Sequence, residues 1–437
     1  MRCVLSSQFS RSVRVHSMTA RSTSPRTLFV AGAWAFKGAF GAQLRCLNVL
    51  RALAQIGAVE VVMLGDPDGV IDRISEAGRD VRGAYFLETQ PTPKKGLTAK
   101  LKWTFDPRID YPFGHGVAEQ AMHRVVRSLK EFDLIWFFKQ LSADMFPNMA
   151  WQRSVVDIDD MQSTNERAAL RMGGLPGRLK ALRRFLIWRR RERLLGDRFS
   201  VLAVCSEEDK QYLRRLGVNA NIHVIPNGYE KPSVEPVRSP AAPPRIGFIG
   251  CLDYLPNREG VTWFLNKCWP YVKREVPRAR LRLIGRDGDK FPELDGPDVD
   301  RLGALPNPSD EIKTWSAMAV PIRLGYGTCV KIAHGFSEKC PIVSTTFGAR
   351  GYGAVDGREM YLADSAEAFA NACLKAIREP EEAAQVARRA WIEFLRKWTW
   401  EAIRPRVWAA AEDCLRSSDR QQRPNHRESN VAALEVR

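Results

Sequence analysis

Apolar and polar positions along this chain alternate between two periods, and the alternation runs through the sequence twice. TLFVAG, from residue 27, has the length of a strand; AQLRCLNVLRALAQIG follows, with Leu44, Leu47, Leu50, Leu53 and Ile56 at helical spacing. VEVVMLGD, DLIWFF, SVVDID, SVLAVC and IHVIPN are further apolar runs of strand length, separated by helical segments such as VAEQAMHRVVRSLKEF. Strands alternating with helices predict a parallel sheet covered on both faces. KPSVEPVRSPAAPP, residues 231–244, carries five prolines in fourteen residues and reads as a linker. A second series begins at once with RIGFIG, a helix through Trp263, Phe264, Trp269 and Val272, then ARLRLIG, a helix around SDEIKTWSAM, AMAVPI, a helix after GYG, and PIVSTT. The pattern predicts an α/β chain of two doubly wound, Rossmann-like domains, in which ligands bind at the carboxyl ends of strands.

The 437 residues are 45% hydrophobic and 27% charged, an ordinary balance for a soluble globular protein. Nine cysteines, an odd number with no C-x-x-C pair, favour reduced thiols and a cytoplasmic compartment. No window approaches the ~20 apolar residues of a membrane span, and the N-terminus lacks the apolar stretch of a secretory signal. The net charge of +17 is unevenly spread, since residues 1–59 contain no acidic residue. Residues 1–26 are rich in Arg and Ser, a composition open to an organelle transit peptide, a disordered tail, or an over-extended start with Met18 as the second candidate. GRLKALRRFLIWRRRERLLGDR, residues 177–198, places Leu179, Leu182, Phe185, Leu186 and Leu194 among nine arginines and lysines. It reads as a basic amphipathic helix; the preferred arrangement faces the core with a solvated outer side, the other a membrane surface or phosphates.

The stretch RLGYGTCVKIAHGFSEKCP, residues 323–341, lies where a strand gives way to a helix. Gly325 and Gly327 permit positive φ and close backbone approach, and Thr328 can cap the helix. Exposed N–H groups there favour a phosphate, with Arg323 and Lys331 as cationic partners; a tight strand-to-helix turn without a ligand is the alternative. His334 stands one turn past Lys331. No G-x-x-x-x-G-K-[ST] loop is present, and G-x-G-x-x-G fails at Val330. DIDD, residues 157–160, resembles a metal-holding Asp-x-Asp, but a solvent-facing loop or helix cap explains Asp159 and Asp160, and no metal site is expected. None of the six histidines has ligand spacing. His115 is either an acceptor-side residue or a polar loop residue. In AWAFKGAFGAQ, Lys37, Gly38 and Gly41 lie between strand and helix, an ordinary connection on local grounds.

Several of these stretches, taken in order, carry a resemblance. FIGCLDYLPNREGVTWF, ARLRLIGR and the 323–353 segment ending in FGARGYG resemble the first strand-loop-helix, the next strand and the donor-binding segment of family 4 glycosyltransferases of the GT-B fold, specifically their bacterial exopolysaccharide-type members. SVVDIDDMQS, AVCSEEDKQYL and HVIPNGYE fall in the order of the corresponding N-domain elements. The resemblance covers residues 27–416 and implies two domains facing across a cleft: an acceptor-side domain at 27–230, the linker at 231–244, and a nucleotide-sugar domain at 245–397. A helix at 398–416 would return to the first domain, with disordered tails at 1–26 and 417–437. It also implies that Arg323, Gly325, Gly327, Thr328 and Lys331 hold the donor diphosphate, that His334 meets the ribose, and that the Lys37, Gly38 and Gly41 turn faces the donor from across the cleft.

Relatives carry a glutamate at the His334 position, another at Tyr326, and Arg and Lys where this chain has Cys251 and Pro256. The expectation is therefore a retaining, metal-independent glycosyltransferase. It would need no cofactor and would move a sugar from a nucleotide diphosphate to a glycan or lipid-linked acceptor, with peripheral contact to an anionic membrane at the inner face left open. The departures keep a second expectation alive, a catalytically silent GT-B-like scaffold or nucleotide-sugar-binding subunit. Charge alone would also suit nucleic acid, but no recognition motif is visible and no nucleic-acid partner is expected.

Overall fold

The computed structural model describes residues 24–38, 41–66, 80–91, 115–117, 131–146, 151–170, 174–286, 290–325 and 327–422, with the five single positions 70, 74, 78, 96 and 98. The tails at 1–23 and 423–437, Tyr326 and most of the helical reading over 117–132 lie outside the described residues.

The first series folds into a parallel sheet of seven strands. These are β1 (Arg26–Gly32), β2 (Ala58–Leu64), β3 (Val81–Leu87), β6 (Leu134–Phe138), β7 (Trp151–Ile158), β8 (Phe199–Val204) and β9 (Asn221–Val224), in the spatial order β3-β2-β1-β6-β7-β8-β9. A short antiparallel pair, β4 (Thr89–Pro91) and β5 (His115–Val117), stands apart from it. The second series gives β10 (Arg245–Ile249), β11 (Arg280–Ile284), β12 (Val299–Gly303), β13 (Ala317–Val320), β14 (Ile342–Ser344) and β15 (Tyr361–Leu362), a parallel six-stranded sheet ordered β12-β11-β10-β13-β14-β15. The near-continuous apolar character of the central strands follows from helices covering both faces. In β1, Phe29 and Ala31 enter one core while Leu28 and Val30 enter the other, and β6 divides Trp136 and Phe138 from Ile135 and Phe137 in the same way. β3, β12 and β15, which the hydrophobic pattern does not mark, are sheet edges with partly exposed residues.

The helices used below are α1 (Gly41–Ala54), α2 (Gln162–Ala169), α3 (Leu175–Arg193), α4 (Glu207–Arg215), α5 (Leu255–Trp263), α6 (Val330–Ser337), α7 (Ala366–Arg378), α8 (Pro380–Lys397) and α9 (Trp400–Gln422). α9 crosses back to the first sheet: Ile403, Val407, Ala410, Ala411 and Cys414 join the core under α1, and Trp408 Nε1 donates to Ala52 O at 2.8 Å. Because α9 covers α1, burial on α1 reaches beyond the predicted leucine stripe. Arg45, Cys46, Asn48, Val49, Leu50 and Leu53 are buried, whereas Leu44 and Leu47 are half-buried.

α3 corrects the preferred reading of the basic segment. Its inward face is Ala181, Ile187, Trp188, Arg191 and Glu192, while Leu179 and Leu182 point outward. Polar anchors decide this orientation: Arg191 reaches Asp144 at 2.9 Å, and Glu192 accepts from the Ser163 N–H at 2.8 Å and from Tyr212. With its oxygens buried on these partners, the Glu192 carboxyl is pushed up to about 7 by burial.

One buried ion pair organises the first domain. Arg45 on α1, fully buried, gives Nη2 to Asp157 Oδ1 at 2.7 Å and Nε to the same carboxylate, while Nη1 donates to Ile225 O at 2.7 Å and to Asn227 Oδ1 at 3.1 Å. Arg45→Leu would strand Asp157 as a buried charge, and it should cost roughly 3–5 kcal/mol of stability in urea unfolding. A loss below about 1 kcal/mol would show that the pair does not organise the domain.

Candidate active site

The carboxyl ends of both sheets face one cleft of about 670 Å³, and its lining comes from both domains. On the second-domain side the chain leaves β13 and passes through Gly325, with φ of +121°, and Gly327, with φ of +65°. Both lie in the region that favours glycine, and the backbone of Gly327 approaches so closely that a Cβ there would stand 2.7 Å from Asp160 Oδ1. α6 then begins at Val330 with Cys329 as its N-cap; the Cys329 side chain makes no cap bond, while the Ile332 N–H donates to Cys329 O at 2.9 Å and the Ala333 N–H to the Tyr352 hydroxyl at 3.3 Å. Thr328, expected to cap, does not: its hydroxyl is buried and has no hydrogen-bond partner among the described residues. The helix start therefore presents the N–H groups of its first two residues, Val330 and Lys331, and an unsatisfied hydroxyl on the cleft wall.

Lys331 lies in the first turn of α6, with Nζ donating to Asn257 Oδ1 at 2.7 Å above the Phe248 ring. Burial lowers its pKa, and its partner is a neutral amide instead of a carboxylate. His334 is buried one turn deeper, stacked on Tyr229 with ring centroids 4.1 Å apart. Burial alone pulls the imidazole down to about 3, so it is neutral near pH 7. Arg286 and Arg350 also line this side. Arg323 does not: its guanidinium pairs with Glu259 of α5 and lies 4.7 Å from the Trp263 ring centroid. Cys251 and Pro256, where relatives of the resembled family place a cation pair, line the cleft.

The first-domain wall holds a cluster that the sequence reading left in a solvent-facing loop or cap. Lys139, at the carboxyl end of β6, has φ of +65°, a conformation that non-glycine residues rarely adopt. It sets Nζ 3.0 Å from Asp159 Oδ2 and 2.9 Å from Asp160 Oδ2, so an ammonium occupies the place between these carboxylates. Asp159 is buried; burial pushes its pKa up, but Lys139, Arg45 and a hydrogen bond from Asn227 outweigh this and hold it at about 2. Asp160 is 20% exposed to the cleft, and there burial and neighbouring Asp159 outweigh Lys139 and raise it to about 6. Two adjacent carboxyls are thus driven apart in acidity.

The cleft brings together Gly41, Gly325, Gly327, Thr328, Lys331 and His334 from the sequence candidates. Gly41 packs so close to the start of α6 that a Cβ there would lie 3.0 Å from Val330 Cγ2. Lys37 instead pairs with Asp66 at 3.1 Å, and Gly38 packs against Gln43. His115 lies in β5, paired with Pro91 in a two-stranded sheet separate from the other two, and is not among the residues that line the cleft. Lys139, Asp160, Asn227, Tyr229, Arg286 and Arg350 are cleft residues that sequence reasoning did not assign. For Lys139 a signal existed in its position just after a strand of a doubly wound sheet.

Two family models match the chain, one described as "Glycosyl transferase 4-like domain" over residues 40–228 and one as "Glycosyl transferases group 1" over residues 243–379. An uncharacterized 44.6 kDa protein in the cps region of Klebsiella pneumoniae is 27% identical over 133 residues, 28% of this chain. The chain thereby spans 34%, about a third, of the length of that curated relative. Among solved structures, HepE of Anabaena in complex with UDP and glucose is similar with a TM-score of 0.59 and 15% identity, covering 89% of this chain and 99% of that one. Sucrose-phosphate synthase from Thermosynechococcus elongatus is similar with a TM-score of 0.65 and 16% identity, covering 90% of this chain and all of that one.

The split carboxyls give a pH test. A carboxyl whose folded pKa is raised stabilises the fold below its unfolded value and loses that contribution as pH rises through its folded one, here from about 4 to about 6. Asp160→Asn lacks this loss, so its melting temperature should gain on wild type between pH 4 and pH 7, roughly the window those values bracket. A difference that stays flat or shrinks would count against the assignment.

Proposed function

Because the chain belongs to the family 4 glycosyltransferases of the GT-B fold, we propose that it moves a sugar, with retention, from a nucleotide diphosphate to a glycan or lipid-linked glycan acceptor in polysaccharide synthesis. The observation that carries the donor side is the start of α6, whose first two N–H groups face the cleft without a capping side chain, with the unpartnered Thr328 hydroxyl beside them and Lys331 in the same turn. As the bond from the anomeric carbon to the diphosphate breaks, negative charge grows on the leaving phosphate. Preoriented N–H groups and a fixed cation stabilise that charge without a metal. Arg350, beside Gly325 and Gly327, is placed to assist. His334 and Tyr229 form the floor where the nucleoside would lie.

Across the cleft, Asp160 is the carboxylate positioned to accept the hydrogen bond of an incoming hydroxyl, with Lys139 and Asp159 holding it in place. His115 remains a further acceptor-side candidate. The HepE complexes with UDP and UDP-glucose make a uridine diphosphate sugar the first donor to try. The cps-region relative supports a role in polysaccharide assembly. A second reading, a nucleotide-sugar-binding subunit without turnover, is favoured by one observation: His334, the residue standing where relatives carry glutamate, is neutral and already engaged with Tyr229.

Release of free nucleotide from a panel of nucleotide sugars separates the two readings. Lys331→Ala should lower turnover roughly 10²- to 10³-fold while the protein stays folded. His334→Ala should weaken nucleotide and nucleotide sugar alike by about 0.5–1.5 kcal/mol, and His334→Glu should be tolerated. Thermal-shift titration with nucleoside diphosphates reads the binding arm, and full turnover together with wild-type affinity in both alanine variants would remove the donor from this loop. Turnover should also persist in chelator; activity that vanishes there and returns with Mn²⁺ would refute the metal-free scheme.

A further inference from the structure

Lys331 is held by one amide, and that amide has no freedom to turn. Asn257, in the first turn of α5, is 6% exposed; its Nδ2 donates to Cys251 O at 2.7 Å while its Oδ1 accepts from Lys331 Nζ at 2.7 Å. A carbonyl only accepts and an ammonium only donates, so the two partners fix which end of the amide faces which. The backbone holds the same place: the Asn257 N–H donates to Tyr254 O at 3.0 Å, and Gly250 passes so close that a Cβ there would stand 2.7 Å from Asn257 Nδ2 and 3.4 Å from Lys331 Cε. Asn257 thus ties the loop after β10 to the first turn of α6 on the cleft wall.

The groups around the ammonium leave its charge unmatched. Phe248 of β10 sets its ring centroid 4.9 Å from Nζ, Cys329 at the N-cap of α6 presents a thiol, and Arg286 and Arg350 line the same wall. Among the described residues, no carboxylate forms an ion pair with Lys331. Lys139 across the cleft is the contrast, with two carboxylates where Lys331 has one amide. An amide oxygen gives the ammonium a direction through a hydrogen bond, whereas a carboxylate in its place would also cancel the charge toward an arriving anion. Burial already lowers the Lys331 pKa, so its acidity answers to whichever acceptor stands beside it.

We infer that Asn257 is a positioning residue of the donor site, fixing Lys331 Nζ on the cleft wall while leaving its positive charge free for the diphosphate. That the charge meets a diphosphate rests on the transfer reading above; the hold of Asn257 on Lys331 does not. Asn257 touches no reacting atom in this scheme and acts through the lysine alone. Its amide is what matters: the same shape with a carboxylate would orient Lys331 equally well and defeat its purpose.

Two variants separate this role from a structural one, because they move the acidity of Lys331 in opposite directions. Asn257→Asp sets a carboxylate against Nζ and should raise the lysine's pKa; Asn257→Ala removes the acceptor and should lower it further. The lysine is read directly by NMR in the full chain labelled with ¹³C at lysine Cε, its signal assigned with Lys331→Arg. The titration midpoint should move up by about one pH unit or more in Asn257→Asp and down in Asn257→Ala. UDP affinity near pH 7, measured by calorimetry, should fall about tenfold or more in Asn257→Asp, and the alkaline limb of binding should shift with the midpoint in each variant. Both variants lose the bond to Cys251 O, so a purely structural role predicts the same sign in both. Should one variant fail to fold, the sign in the other still decides. Midpoints that stay at the wild-type value, or UDP affinity in Asn257→Asp equal to wild type, would overturn the inference. Wild type that binds neither UDP nor inorganic pyrophosphate strikes the donor reading instead, and the lysine titration, which needs no ligand, still decides whether Asn257 sets the charge of Lys331.

Discussion

The buried Arg45–Asp157 pair is the interaction on which the cleft's first wall depends. A guanidinium withdrawn from water must have its donors filled, and Arg45 fills them with two separate pieces of chain: the end of β7, and the stretch after β9 through the carbonyl of Ile225 and the amide oxygen of Asn227. Asn227, held in this way, donates to Asp159 Oδ1 at 3.2 Å. Asp159 then meets Lys139, and Lys139 meets Asp160 at the cleft surface. A chain of polar contacts thus runs from the core of the first domain to the residue facing the second, and each link limits the geometry of the next.

The two walls differ in how their charge is balanced. On the first, Lys139 is matched by two carboxylates, so that side offers hydrogen-bonding groups with little net pull on an anion. On the second, Lys331 donates to an amide, the N-cap of α6 makes no side-chain bond and Thr328 is unsatisfied, so that side carries unspent capacity for negative charge. The asymmetry suits a reaction in which an anion leaves toward one wall while a hydroxyl approaches from the other. The segment joining the domains takes part as well. Tyr229 stacks on His334, and its N–H donates to Trp398 O at 2.9 Å, where the chain crosses back toward α9.

Much of the fold and part of the site were legible in the sequence. The central strands announce themselves as apolar runs because they are covered on both faces, and the loop after β13 announces itself because only glycine takes the φ of Gly325 and Gly327 without strain. Lys331 and His334 follow from helical spacing one turn apart. The edge strands β3, β12 and β15 do not announce themselves, since partial exposure blurs their alternation. Nor does Arg323's true partner, because Glu259 lies 64 positions away.

The sequence by itself determined what depends on neighbours in the chain: where strands and helices alternate, where the proline linker falls, and where an anion-friendly turn meets a helix. Periodicity and backbone preference act over a few residues and need no tertiary contact. Tertiary structure decided which face of each helix is buried and which charges are spent. The leucines of α3 look outward because Arg191 and Glu192 have distant partners, and Arg45 is a core residue because Asp157, 112 positions away, arrives beside it. Burial and charge pairing are properties of surroundings that only the packed chain supplies, so the acidities of Asp159 and Asp160, adjacent in sequence, part company only in the fold.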